Sequence, residues 1–129
     1  MRDFPALLRF IAERRDAPFV WGSDKNDCVS FAGEAAKAAT GRNPFADLSW
    51  ADEDDAYRVI DSVAGLATGV SARLREIPPA MAHRGDIGGV MLENHLFLMV
   101  VMGDHLVGPG PERQRRLPRK MMVQAWSID

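Results

Sequence analysis

Apolar residues in the first half of the chain return every three or four positions, and in the last third they come in short runs. Phe4, Leu7, Leu8 and Ile11 share one side of residues 3–15, Asp3 is placed to cap them and Pro5 is tolerated in a first turn, so this stretch predicts a helix. Pro18 and Gly22 break the pattern over 16–26, a short loop that nevertheless carries two large aromatics, Phe19 and Trp21. From Asp27 the helical period resumes, with Cys28, Phe31, Ala32, Ala35 and Ala39 on one stripe, Glu34 and Lys37 on the wet side, and Thr40-Gly41 as a stop. The alanines predict a central helix that lets neighbours approach closely.

Asn43, Pro44 and Asp47 mark a loop, and the acidic run Asp52 to Asp55 predicts the first turn of a third helix over 52–64, where the helix dipole favours negative charge. Its expected buried side is Tyr57, Ile60 and Val63 or Ala64. A short helical piece is expected around Val70 to Leu74, followed by an extended "EIPPA" segment, because residues before proline leave the α region. "DIGGVML", "HLFLMVVM", "DHLVG" and "KMMVQAW" then read as consecutive antiparallel strands, with turns at Asn94, Gly103-Asp104 and "GPGPE". Helices first and strands after predict an α+β domain in which N-terminal helices pack on a C-terminal antiparallel β-meander.

Composition narrows the function classes. The 129 residues suit one domain, 47% hydrophobic and 26% charged content is that of a globular protein, and a net charge of −2 offers no basic footprint for nucleic acid. The basic cluster Arg113, Arg115, Arg116, Arg119 and Lys120 reads first as a solvated face and secondarily as a docking surface. One cysteine excludes an internal disulfide, and His83, His95 and His105 are too scattered for a closed zinc site, so no metal or cofactor is expected. The amphipathic, charge-interrupted N-terminus lacks a signal-peptide core and no apolar run reaches a membrane span, which predicts synthesis in the cytoplasm.

Cys28 is the candidate nucleophile. A thiol attacks as thiolate, and the first residue of a helix capped by Asp27 sits among free N–H groups that could favour a thiolate or an oxyanion beside it. The plain alternative is a small core residue, since free cysteines are commonly buried and Cys28 lies on the apolar stripe. Of the histidines, His105 is expected in a hairpin and His83 in the loop before "RGD", which itself reads as a turn into a strand.

The run "PFVWGSDKNDCVSFAGEAA" resembles the nucleophile segment of the NlpC-type cell-wall cysteine peptidases, a papain-like superfamily in which an aromatic-x-Trp-Gly loop precedes Asp-Cys at the start of a central helix. Phe19, Trp21, Gly22, Asp27 and Cys28 carry the match, and "RGDIGGV" resembles the family's Gly-Asp entry to its first core strand. The short Trp-Gly to Asp-Cys gap and the closing Ala125-Trp126 are similar to a compact branch found among phage and prophage tail genes.

The resemblance implies a papain-like fold and a tail-associated peptidase or amidase acting on peptide amide bonds of peptidoglycan. Cys28 would be the nucleophile, Phe19, Trp21 and Asp27 would lie along the substrate groove, and the partners would be a peptidoglycan peptide or tail proteins of a phage-like particle. The family's base position falls on Phe97 and its orienting position near Gly108, neither of which can move a proton. His95, two residues earlier on the same strand face, is the remaining candidate base. Two strand residues cover about 6.6 Å, whereas a nucleophile and its base sit about 3 to 4 Å apart, so a bulge or register shift would have to bring His95 into place. The alternative is an inactive papain-like structural or assembly component of such a tail, for which loss of the base is the expected change.

Overall fold

In the computed structural model, which describes residues 1–129, the first helix, α1 (Phe4–Glu13), starts where Asp3 accepts a hydrogen bond from the Ala6 N–H at 3.0 Å. Its Leu7 is fully buried, and the Asp3 N–H donates to Ala39 O at 2.7 Å, tying α1 to the end of the next helix. That helix, α2 (Cys28–Thr40), begins at Asp27 and stops at Gly41, whose φ of +88° is one that glycine adopts without a Cβ penalty. The predicted stripe of Cys28, Phe31, Ala32, Ala35 and Ala39 is buried throughout, with Ala36 beside it.

The third helix departs from its pattern. α3 (Glu53–Ser62) carries acidic residues in its first turn, as expected, with Asp52 outside it as the cap, but Tyr57 is 41% exposed and the buried residue is Ala56. Ile60 and Val63 are only half-buried. The helix overlies a hollow instead of closing on a core, so its apolar side is lined up along an opening. α4 (Leu66–Ser71) starts earlier than the expected Val70 to Leu74 piece, and the "EIPPA" stretch divides into a strand, β1 (Arg75–Ile77), and one 3₁₀ turn at Pro79–Met81.

The remaining strands are β2 (Ile87–Leu92), β3 (His95–Val101), β4 (His105–Pro109), β5 (Gln114–Pro118) and β6 (Met122–Ser127), and the sheet order is β1-β6-β2-β3-β4-β5 with every pair antiparallel. Only β2 to β5 form a meander. β6 returns across the sheet to lie between β1 and β2, where Trp126 pairs with Ile87, is fully buried and donates to Ser71 Oγ at 2.9 Å. Burying so large a side chain beside α4 outweighs the short connection that would have kept β6 next to β5. The basic segment read as a solvated face supplies the edge strand β5, with Leu117 opposite Leu106.

Side chains of β3 alternate between two apolar layers. Leu98 and Val100 join α1 and α2 in the main core, and Leu96 packs against it; Met99 and Val101 enter a second core on the far side with Val90, Leu106 and Met122. Gly85, at φ +98°, turns the chain into β2, and the fully buried Asp86 that follows gathers the N–H groups of His83 (2.7 Å) and Ile128 (3.2 Å) and the guanidinium of Arg2 (2.6 Å).

Candidate functional site

Asp27 organises the site. One carboxylate oxygen accepts from Ser30 N at 2.8 Å, and the Ser30 hydroxyl in turn accepts from Asp27 N at 2.9 Å, a reciprocal cap that fixes where α2 begins. The other oxygen accepts from Gly22 N at 3.0 Å and from the Trp50 indole N–H at 2.6 Å. Both oxygens of this 1% exposed carboxylate are thus used to hold the Trp21-Gly22 loop and Trp50 against the helix mouth.

Cys28, the first residue of α2, is 8% exposed and belongs to the main core. Burial pushes its thiol up to about 12, and the neighbouring Asp27 carboxylate adds to this. Backbone N–H groups of Leu98, Cys28 and Val29 act in the opposite direction and do not overcome it. The helix mouth is therefore a mixed field, positive from its amides and negative from its own cap.

His95 opens β3, opposite Leu92, and is exposed. It has the parity of Met99 and Val101, not that of Leu96 and Leu98, which face α2. Leu98, whose amide lies at the sulfur, is three residues further on, about 10 Å along a strand. Cys28 and His95 do line one cavity of 410 Å³, the thiol in its wall and His95 with Asn94 on its rim. Phe97, at the position the resemblance gives to the base, is half-buried between the two cores, and Gly108 pairs with Arg115 on β5.

That cavity is mostly apolar. Trp21 and Trp50 bound it near Cys28, and α3, the turn after it and α4 contribute Ile60, Val63 and Leu66. Trp21 also meets Phe19 edge-on at 4.9 Å and Tyr57 at 5.8 Å, so the loop aromatics form one continuous wall. The contribution of Trp50 and of α3 was not legible in the sequence: the only signal was that a buried capping carboxylate needs more donors than its own helix supplies. No group of three or more His, Cys, Asp or Glu is arranged to hold a metal ion, and no helix is long and apolar enough to cross a membrane.

No curated protein and no solved structure matches the chain. A family model described as "Domain of unknown function (DUF6950)" matches residues 2–128, and the chain belongs to that family.

Proposed function

We propose that this chain is a papain-like, NlpC-type domain that keeps the place of the nucleophile without its acyl-transfer chemistry, and that it serves as a structural or assembly component of a phage-like tail. The observation that carries this reading is the state of Cys28: 8% exposed in the cavity wall, held protonated to about 12, and faced by a strand amide where a base would be needed. A thiol in that condition behaves as a small apolar surface. The order of elements, with Asp-Cys opening a helix packed on the strand that starts at His95, supports the kinship, and the tail setting rests on the sequence resemblance.

The test is incubation with purified peptidoglycan of several wall types and mass analysis of released peptides, with Cys28→Ala as control. No Cys28-dependent product is expected; a product lost in Cys28→Ala overturns the reading. The second reading is a peptidase or amidase acting on peptidoglycan peptides, and the observation in its favour is that His95 and Cys28 border the same cavity. Under that reading the product would disappear in His95→Ala as well.

A further inference from the structure

On the other side of the Trp21–Phe97 ridge lies a second cleft, of 490 Å³, walled by Phe19, Leu92, Pro109 and Pro111. Arg115 is its only cation and Glu93 its only anion. The guanidinium lies 5.9 Å from the centre of the Phe97 ring, and its Nε is buried with no hydrogen-bond partner.

This arginine stands apart from the others that are half-buried. Arg2 binds Arg84 O, Asp86 and Asp129; Arg14 binds Asn26; Arg73 binds Gly69 O and Asp47; Arg119 binds three backbone carbonyls. No ion pair of the protein involves Arg115. That nitrogen is shut off from the cleft as well as from protein acceptors, so the groups Arg115 can offer a ligand are its two terminal nitrogens.

The surroundings hold it in place. Gly110 allows the arginine stem to pass, since a Cβ there would lie 3.3 Å from Arg115 Cβ and 2.6 Å from Arg113 O. The Phe19 N–H donates to Gly110 O at 2.8 Å, bracing the aromatic loop against the end of β4. The planar fork is thus presented, already ordered, between aromatic and proline surfaces.

We propose that this cleft binds a carboxylate carried on an apolar body, such as the free C-terminus of a peptide, with Arg115 donating through its two terminal nitrogens. A guanidinium matches the two oxygens of a carboxylate side by side, and an aromatic face beneath it favours the cation staying in position. A single cation with Glu93 nearby suits one negative charge better than the two of a phosphate monoester. The inference concerns a site separate from Cys28 and stands whether or not that thiol reacts.

The experiment follows the Arg115 Nε–H resonance by NMR, as a reporter of its guanidinium, and intrinsic tryptophan fluorescence while N-acetyl-phenylalanine, its C-terminal amide and phenyl phosphate are titrated separately. The acid is expected to shift the Nε–H signal and to bind about tenfold more tightly than the amide, with the phosphate no tighter than the acid. In Arg115→Met, which keeps the apolar stem, the acid and amide should bind alike while the thermal midpoint holds or rises. Equal binding of acid and amide, tighter binding of the phosphate, an unmoved Nε–H signal at about 10 mM acid, or a preference that survives in Arg115→Met each overturns the assignment. The Nε–H signal of the unmodified protein decides the matter even if the variant fails to fold.

Discussion

The thiol of Cys28 offers the sharpest test of the site. Moving a thiol from 9.0 to about 12 leaves about a thousandfold less thiolate at any pH below 9. The more basic thiolate is intrinsically more nucleophilic, which returns between one and one and a half decades, so protonation alone slows alkylation about 30-fold or more. Burial slows it further, because reagent must wait for local opening. Iodoacetamide labelling at about pH 7.5, with glutathione in the same tube and mass detection, should therefore show the native protein reacting far more slowly than glutathione, and concentrated urea should remove the difference. The same displacement has a second consequence. Cys28 keeps its proton in the fold when the unfolded chain has lost it, so its contribution to stability is intact below pH 9.0 and is lost as pH rises toward about 12. The slope is about 1.4 kcal/mol per pH unit in that window, and Cys28→Ala should flatten it in urea titrations. Native labelling at or above the glutathione rate would overturn this account by showing an accessible thiolate, and labelling slowed by His95→Ala would do so by showing a thiolate stabilised by an imidazole.

Four further outcomes follow from contacts that brace the fold. Asp27→Ala removes the cap of α2 and strands the Trp50 and Gly22 donors, which should cost about 2 to 4 kcal/mol in urea denaturation and release Trp50 fluorescence to a wetter environment. Arg2→Met leaves Asp86, fully buried, without its cation and should cost about 3 to 5 kcal/mol by the same measurement. The hydrogen bond from Arg2 holds the Asp129 carboxyl below 3.8; the stability it adds is present above that value and is lost as pH falls through the lower folded one, so Asp129→Asn should weaken the acid dependence of the melting temperature. Gly33→Ala would bring a Cβ to 2.5 Å from Asn43 Oδ1, displacing the loop that leads to Phe45, and thermal melting should register a loss of about 1 to 3 kcal/mol.

Local rules made much of this chain readable from its sequence. Asp3, Asp27 and Asp52 all cap helices, the α2 stripe is buried as its spacing requires, and four strands lie where short apolar runs are set off by Gly, Asp and Asn. These features depend on hydrogen bonds and periodicities spanning a few residues. Where a feature depended on a distant partner, the sequence misled or was silent. Tyr57 is exposed because α3 spans a hollow; β5 lies within a basic run because its Leu117 finds Leu106 across a hairpin; β6 crosses the sheet because Trp126 needs the space beside Ser71. Position 28 shows both limits. That a thiol opens α2 behind an aspartate cap could be read from residues 27 and 28 and their neighbours, since capping is a matter of a single turn. That this thiol is desolvated against the amide of Leu98, with His95 on the rim of the cavity, emerged with the packing of α2 on β3, because burial and facing partners are set by how separate elements meet.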